Sequence, residues 1–187
     1  MSTPRSPAAT RRSPTRGRAF RARDGRLYRL RAIHPSDVPA LQRAFQRLDP
    51  EQVRQRTFHR INELSLEAAT RFATVDPAVG AAYVVLDEDG EIRGEARFFV
   101  DAVGSGAEFA VITDPTLAGH GLGRALMHRL VREARQRGVA SLWGTVLAQN
   151  TQMLEFSRRL GATREASEDE PGVVRVRFDL SHRLRRR

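Results

Sequence analysis

Between the apolar stretch Val111-Ile112-Thr113 and a segment with helical spacing of apolar residues lies Gly119-His120-Gly121-Leu122-Gly123-Arg124. Three alternating glycines at the mouth of a helix suit one kind of chemistry. Without Cβ atoms the backbone can approach a bulky anion, and the free N–H groups and dipole of a helix N-terminus favour negative charge. A phosphate cradle is therefore expected, and Arg124 can add a charge-assisted contact. Two other glycine-rich phosphate sites fail on residue type. A dinucleotide fingerprint needs a glycine at the sixth position, where counting from Gly119 gives Arg124, and an acid at the end of the next strand. A Walker-type loop needs lysine, and the chain has none: all 32 of its basic residues are arginine.

Other reactive side chains are sparse. Cysteine is absent, which excludes a thiolate nucleophile, an iron–sulfur cluster and a disulfide scaffold. His34, His59, His120, His128 and His182 show no ligand-like spacing with a carboxylate, so no metal is expected. His120 is expected to lend the loop a backbone N–H rather than a catalytic imidazole. Trp143 and the phenylalanines read as core.

The elements that must hold the glycine loop follow from periodicity. Arg26 to Ile33 alternates as a strand, and Ser36 caps a helix through Leu48 that turns Val38, Leu41, Phe45 and Leu48 to one side. A second helix begins at Ser65. Ala81–Leu86 and Ile92–Val100, joined through Asp89-Gly90, read as a hairpin. Glu108–Thr113 is a strand leading into the glycine loop, and a long amphipathic helix runs from about Gly121 to Arg137, ended by Gly138. Ser141–Leu147 is a strand, Thr151–Leu160 a helix stopped by Gly161, and Val173–Leu180 a last strand. The order β-α-α-β-β-β-α-β-α-β predicts an α/β fold, a mixed sheet with helices on both faces. The strands on either side of the long helix should be parallel.

The ends differ from the middle. Residues 1–20 carry five arginines and no acid, and residues 183–187 carry four, leaving 23 arginines against all 22 acids between them. The net charge of +10 thus belongs to the tails. Residues 1–20 are expected to be a disordered Arg/Ser/Pro-rich tail, residues 26–180 the domain, and residues 181–187 a basic tail. Solvated tails imply neither a specific nucleic-acid partner nor a membrane partner. No apolar run has the roughly 18 residues of a membrane span and the start has no apolar signal core, so a soluble, cytoplasmic protein is expected.

The stretch from Ala118 to Arg124 resembles motif A of the GNAT acetyltransferases, Arg/Gln-x-x-Gly-x-Gly/Ala, and Asn150 to Gly161 is similar to a second family signature, an Asn opening a helix that closes on Leu-Gly. Leu48 to Asp76 resembles the branch of protein lysine acetyltransferases and of acetyltransferase domains fused to acyl-CoA ligases. The likeness spans about residues 26–180. Two positions depart from the family: Ala118 stands where motif A has Arg or Gln, and Ser157 where many members carry the Tyr that protonates the departing thiolate.

The resemblance implies an acyl-CoA N-acyltransferase fold, acetyl-CoA as donor and an amine as acceptor, without a metal. It assigns the cofactor to Val111, Ile112 and Thr113, whose backbone would bind pantetheine and orient the thioester, to Gly119, His120, Gly121, Leu122, Gly123 and Arg124 around the diphosphate, and to Asn150. It also implies a glutamate base, and Glu108, at the start of the strand entering motif A, is the candidate; Glu95 on the neighbouring hairpin is the alternative. The acceptor expected from the branch is a protein lysine. A small amine is the alternative within the same chemistry, and a non-catalytic acyl-CoA sensor the alternative outside it.

Overall fold

The computed structural model describes residues 17–48, 64–101, 106–166 and 171–181. The strand read from Arg26 onward is β2 (Leu27–Ala32), but it is preceded by β1 (Arg18–Arg21), its antiparallel partner. Arg23-Asp24-Gly25 turns the chain between them. Gly25 takes φ +82°, a conformation that favours glycine. The Asp24 carboxylate accepts hydrogen bonds from the Arg26 N–H at 3.0 Å and the Tyr28 hydroxyl at 2.9 Å. Residues 18–20 are therefore strand rather than tail, and the ordered chain starts before Arg26. Residues 1–16 and 182–187, and most of the branch-like stretch from Leu48 to Asp76, lie outside the described residues.

Helix α1 (Val38–Gln46) is shorter than expected, and Ser36 is not its cap. A single 3-10 turn, Pro35–Asp37, comes first, and there the His34 ring accepts from the Ser36 N–H at 3.2 Å. Asp37 accepts from the His34 N–H at 2.8 Å and is gripped by both Nη atoms of Arg31 at 2.7 Å. Helix α2 (Leu66–Ala73) is capped by Ser65 as its sequence suggests, with Oγ accepting from the Ala68 N–H at 3.2 Å. The hairpin is β3 (Gly80–Leu86) and β4 (Ile92–Val100), and β5 (Gly106–Thr113) pairs antiparallel with β4. Then follow α3 (Leu122–Gln136), β6 (Ser141–Leu147), α4 (Thr151–Arg159), β7 (Thr163–Ala166) and β8 (Val173–Asp179). The sequence reading missed β1 and β7, the strands at the two edges.

The eight strands form one mixed sheet in the order β1-β2-β3-β4-β5-β6-β8-β7. Among the described residues only β5 and β6, on either side of α3, run parallel. Strand alternation divides the core into two layers. Tyr83, Val85, Phe98, Phe109 and Leu142 pack with Leu122, Leu126 and Leu130 of α3, while Val84, Leu86 and Ile92 pack with Leu41 of α1 and Ala69 and Ala73 of α2. Helices thus cover both faces. Not every aromatic is core: Phe99 is 41% exposed, and Trp143 is half-buried beneath the Arg175 guanidinium. No helix among the described residues is long and apolar enough to cross a membrane.

Candidate active site

β5 stays paired with β4 as far as Thr113, but with β6 only over Gly106–Glu108, opposite Ser141–Trp143. β6 meanwhile continues along β8 to Leu147. Beyond Glu108 the two parallel strands part, and a cleft of about 420 Å3 opens between Phe109–Thr113 and Gly144–Val146. Met153, Phe156 and Leu160 of α4 line it, and the glycine loop closes one end. Gly144 makes the close crossing at the fork possible: a Cβ there would lie 2.9 Å from the Phe109 carbonyl oxygen. Within the cleft the β6-facing edge of Phe109–Thr113 has no strand partner among the described residues, so its peptide groups can pair with an extended, amide-bearing ligand.

The loop is anchored by Asp114, the cap of a 3-10 turn at Pro115–Leu117. Its carboxylate accepts from the Thr116 N–H at 3.0 Å, the Thr116 hydroxyl at 2.6 Å and Arg93 Nη1 at 2.9 Å. Burial pushes the Asp114 carboxyl up, but these Thr116 and Arg93 donors outweigh it and hold the group below the usual aspartate value. Gly119 and Gly121 take φ +81° and +97°, where any other L-residue is strained. Gly123 has a different reason to be glycine, since a Cβ would meet the Phe156 ring at 3.3 Å. Helix α3 begins with no side-chain cap and no acid in its first turn. Its first N–H groups are therefore free to meet an anion in the cleft.

Gly119, Gly121, Leu122, Gly123 and Arg124 all line the cleft, as do Val111, Ile112, Thr113, Asn150 and Glu108. His120 does not. Its N–H donates to the Leu117 carbonyl at 3.3 Å, its carbonyl accepts from the Arg23 N–H at 3.0 Å, and its Nδ1 is buried without a hydrogen-bond partner. Asn150 caps α4, accepting from the Met153 N–H at 3.0 Å. Ser157 is 1% exposed with its Oγ unpartnered, and it does not line the cleft.

The two glutamates have opposite surroundings. The Glu108 side chain is exposed at the fork and makes no hydrogen bond or ion pair among the described residues. Glu95 is 6% exposed, bonded to Arg97 Nε at 2.7 Å, and lies in a separate cavity of about 70 Å3 beneath α1. Arg23 and Arg159 also line the cleft, and the sequence reading identified neither. Arg159 donates to Glu155 at 2.7 Å, and Arg158 and Arg159 together hold the Glu155 carboxyl down at about 2. Arg23 reaches the cleft from the β1–β2 turn, which the Asp24-Gly25 pair could have signalled. No His, Asp and Glu cluster able to hold a metal occurs among the described residues.

A fork between parallel strands that ends at an uncapped, glycine-lined helix suits a ligand with amides along its stem and phosphates at its end. Residues 38–162 match the acetyltransferase (GNAT) family. The chain belongs to that family and is an N-acetyltransferase with acetyl-CoA as co-substrate. It is 31% identical over 118 residues to the L-amino acid N-acyltransferase MnaT of Escherichia coli K12, covering 60% of this chain and 69% of that one. The GNAT domain of S. lividans PAT is similar with a TM-score of 0.81 at 26% identity, over 87% of this chain and 96% of that one. The structure of yncA from Salmonella typhimurium with its cofactor acetyl-CoA shares the fold, with a TM-score of 0.68 at 20% identity over 82% and 94% of the two chains.

Proposed function

We propose that the acceptor is a lysine ε-amine of a protein and that Glu108 takes its proton. The observation that carries the base assignment is the unpaired Glu108 carboxylate at the fork; the proposal lays the ligand along β5 with its acyl end at that point. A lysine amine has a pKa of about 10.4 and arrives protonated at neutral pH, so it must lose a proton before it can attack. Glu108 accepts that proton directly or through one water. The neutral nitrogen then adds to the thioester carbonyl, whose growing negative charge is met by backbone N–H groups of the β5 wall. The C–S bond breaks, the acetyl group stays on nitrogen, and CoA departs as a thiolate that takes up the second proton shed by the nitrogen as it becomes an amide. With a thiol pKa of about 8.5 that leaving group needs little help from an acid, consistent with Ser157 not lining the cleft. At the phosphate end, the proposal assigns the diphosphate to the N–H groups around Gly121–Gly123 and to Arg124.

The protein-lysine assignment is supported by the likeness to the PAT domain and by the branch-like sequence from Leu48 to Asp76. The 31% identity to MnaT favours a second acceptor, the α-amine of a free amino acid. The test is release of CoA thiol from acetyl-CoA with the protein fraction of a lysate or with free L-amino acids, followed by mass spectrometry of the products. Acetylated lysine side chains are expected from the first arm. Turnover with free amino acids alone would replace the protein-lysine reading with the second.

A further inference from the structure

We propose that Arg23, carried over the glycine loop by the β1–β2 turn, is a cofactor-binding residue whose guanidinium grips the diphosphate of acetyl-CoA. The inference rests on reading the cleft as the acetyl-CoA site and adds to it a residue from a distant part of the chain.

Two hydrogen bonds fasten Arg23 to the loop. Its N–H donates to the His120 carbonyl at 3.0 Å, and its Nη1 donates to the Gly119 carbonyl at 3.3 Å across 96 residues of sequence. The first fixes the turn on the loop, and the second aims the side chain at the mouth of the cradle. A guanidinium has five N–H donors, so the Gly119 bond leaves most of the fork available to a phosphate. Nothing among the described residues neutralises the charge of Arg23. It has no ion-pair partner among the described residues, and the neighbouring Asp24 carboxylate is engaged by the Arg26 N–H and the Tyr28 hydroxyl. The uncapped N-terminus of α3 lines the same cleft as Arg23 and is a second source of positive potential. Like charges held together by backbone hydrogen bonds are relieved by an anion seated between them. The Ala118 methyl lines the same end of the cleft and offers no donor, so a cation arriving from across the fold occupies the role that this position leaves empty.

The test compares wild type, Arg23→Gln and Gly121→Asp by their dissociation constants for acetyl-CoA, acetyl-3′-dephospho-CoA and S-acetylpantetheine. Glutamine keeps an amide donor for Gly119 and loses the charge. Arg23→Gln is expected to weaken both phosphate-bearing ligands by about ten- to a hundredfold, as for a lost charge-assisted hydrogen bond, and to leave S-acetylpantetheine unchanged. Adding Ala118→Arg to Arg23→Gln is expected to restore most of the affinity. Unchanged acetyl-CoA binding in Arg23→Gln overturns the proposal, as does a loss that disappears with the dephospho compound, which would assign Arg23 to the 3′-phosphate. An equal loss for S-acetylpantetheine also overturns it, by showing that Arg23 only shapes the cleft. If wild type itself fails to bind acetyl-CoA, or Gly121→Asp binds it normally, the reading of the cleft falls instead.

Discussion

Replacing Glu108 by glutamine removes one charge and no contact used by the described fold. The side chain is exposed, unpaired and at the end of the parallel register opposite Trp143, so stability should change by no more than about 0.5 kcal/mol. The rate should behave differently. Loss of a general base costs about 10²- to 10⁴-fold, on the order of 3 to 5 kcal/mol of transition-state stabilisation. Glu95→Gln makes the opposite case. It breaks a buried pair with Arg97 whose Nε–Oε1 distance is 2.7 Å, and stranding a buried guanidinium costs on the order of 3 to 5 kcal/mol of folding stability. One variant should therefore lose turnover and keep its melting temperature, while the other loses melting temperature first. pH supplies a further check. At pH 7 only about 1 in 2,500 lysine amines is neutral and at pH 9 about 1 in 25, so the Glu108→Gln rate should climb about tenfold per unit. Wild type should rise less over the same range. The assay is CoA release against pH at saturating acetyl-CoA, with thermal melts of each variant. A wild-type rate for Glu108→Gln near neutral pH, or a deficit that does not close with rising pH, would refute Glu108 as the base.

Two further outcomes test the frame around the cleft. A chain lacking residues 1–21 loses β1 and the contact between the Phe20 and Tyr28 rings at 6.0 Å. It should melt several degrees below a chain lacking residues 1–16, since each kcal/mol is worth about 3 °C at this size, and equal melting temperatures would show that β1 adds nothing. Asp114 has a folded pKa below its unfolded value, so its stabilisation is complete above about pH 4 to 5 and is lost as pH falls through the folded value. Asp114→Asn should melt lower at neutral pH but decline less steeply than wild type between pH 5 and 3, and parallel melting curves would remove Asp114 from the acid response.

The middle of the chain was legible because its signals are local. Gly119, Gly121 and Gly123 stand at the start of a long amphipathic helix, and the Asp89-Gly90 pair sits between two strongly apolar strands. The edges were harder to read. β1 and β7 are four-residue edge strands, and Arg18-Ala19-Phe20-Arg21 has a single large apolar residue, so composition alone resembles a tail. Ser36 looked like a cap, but Pro35 starts a 3-10 turn and transfers the capping to His34 and Asp37. Ser157 matched a family position by spacing, yet the rotation of α4 turns it into the interior. Arg23 depends on a contact between residues 96 positions apart in the chain, which no local pattern encodes.

The ion pairs of this scaffold are built with arginine throughout: Arg31 with Asp37, Arg93 with Asp87 and Asp114, Arg97 with Glu95, and Arg129 and Arg137 with Glu133. A guanidinium keeps its proton at every physiological pH and so never presents the free lone pair that a thioester acylates. Across these 187 residues no ε-amine exists. The enzyme can therefore sit in a pool of acetyl-CoA without its own side-chain amines being modified, whether by neighbouring copies or by uncatalysed transfer. Its electrostatic framework is chemically inert to the reagent it handles.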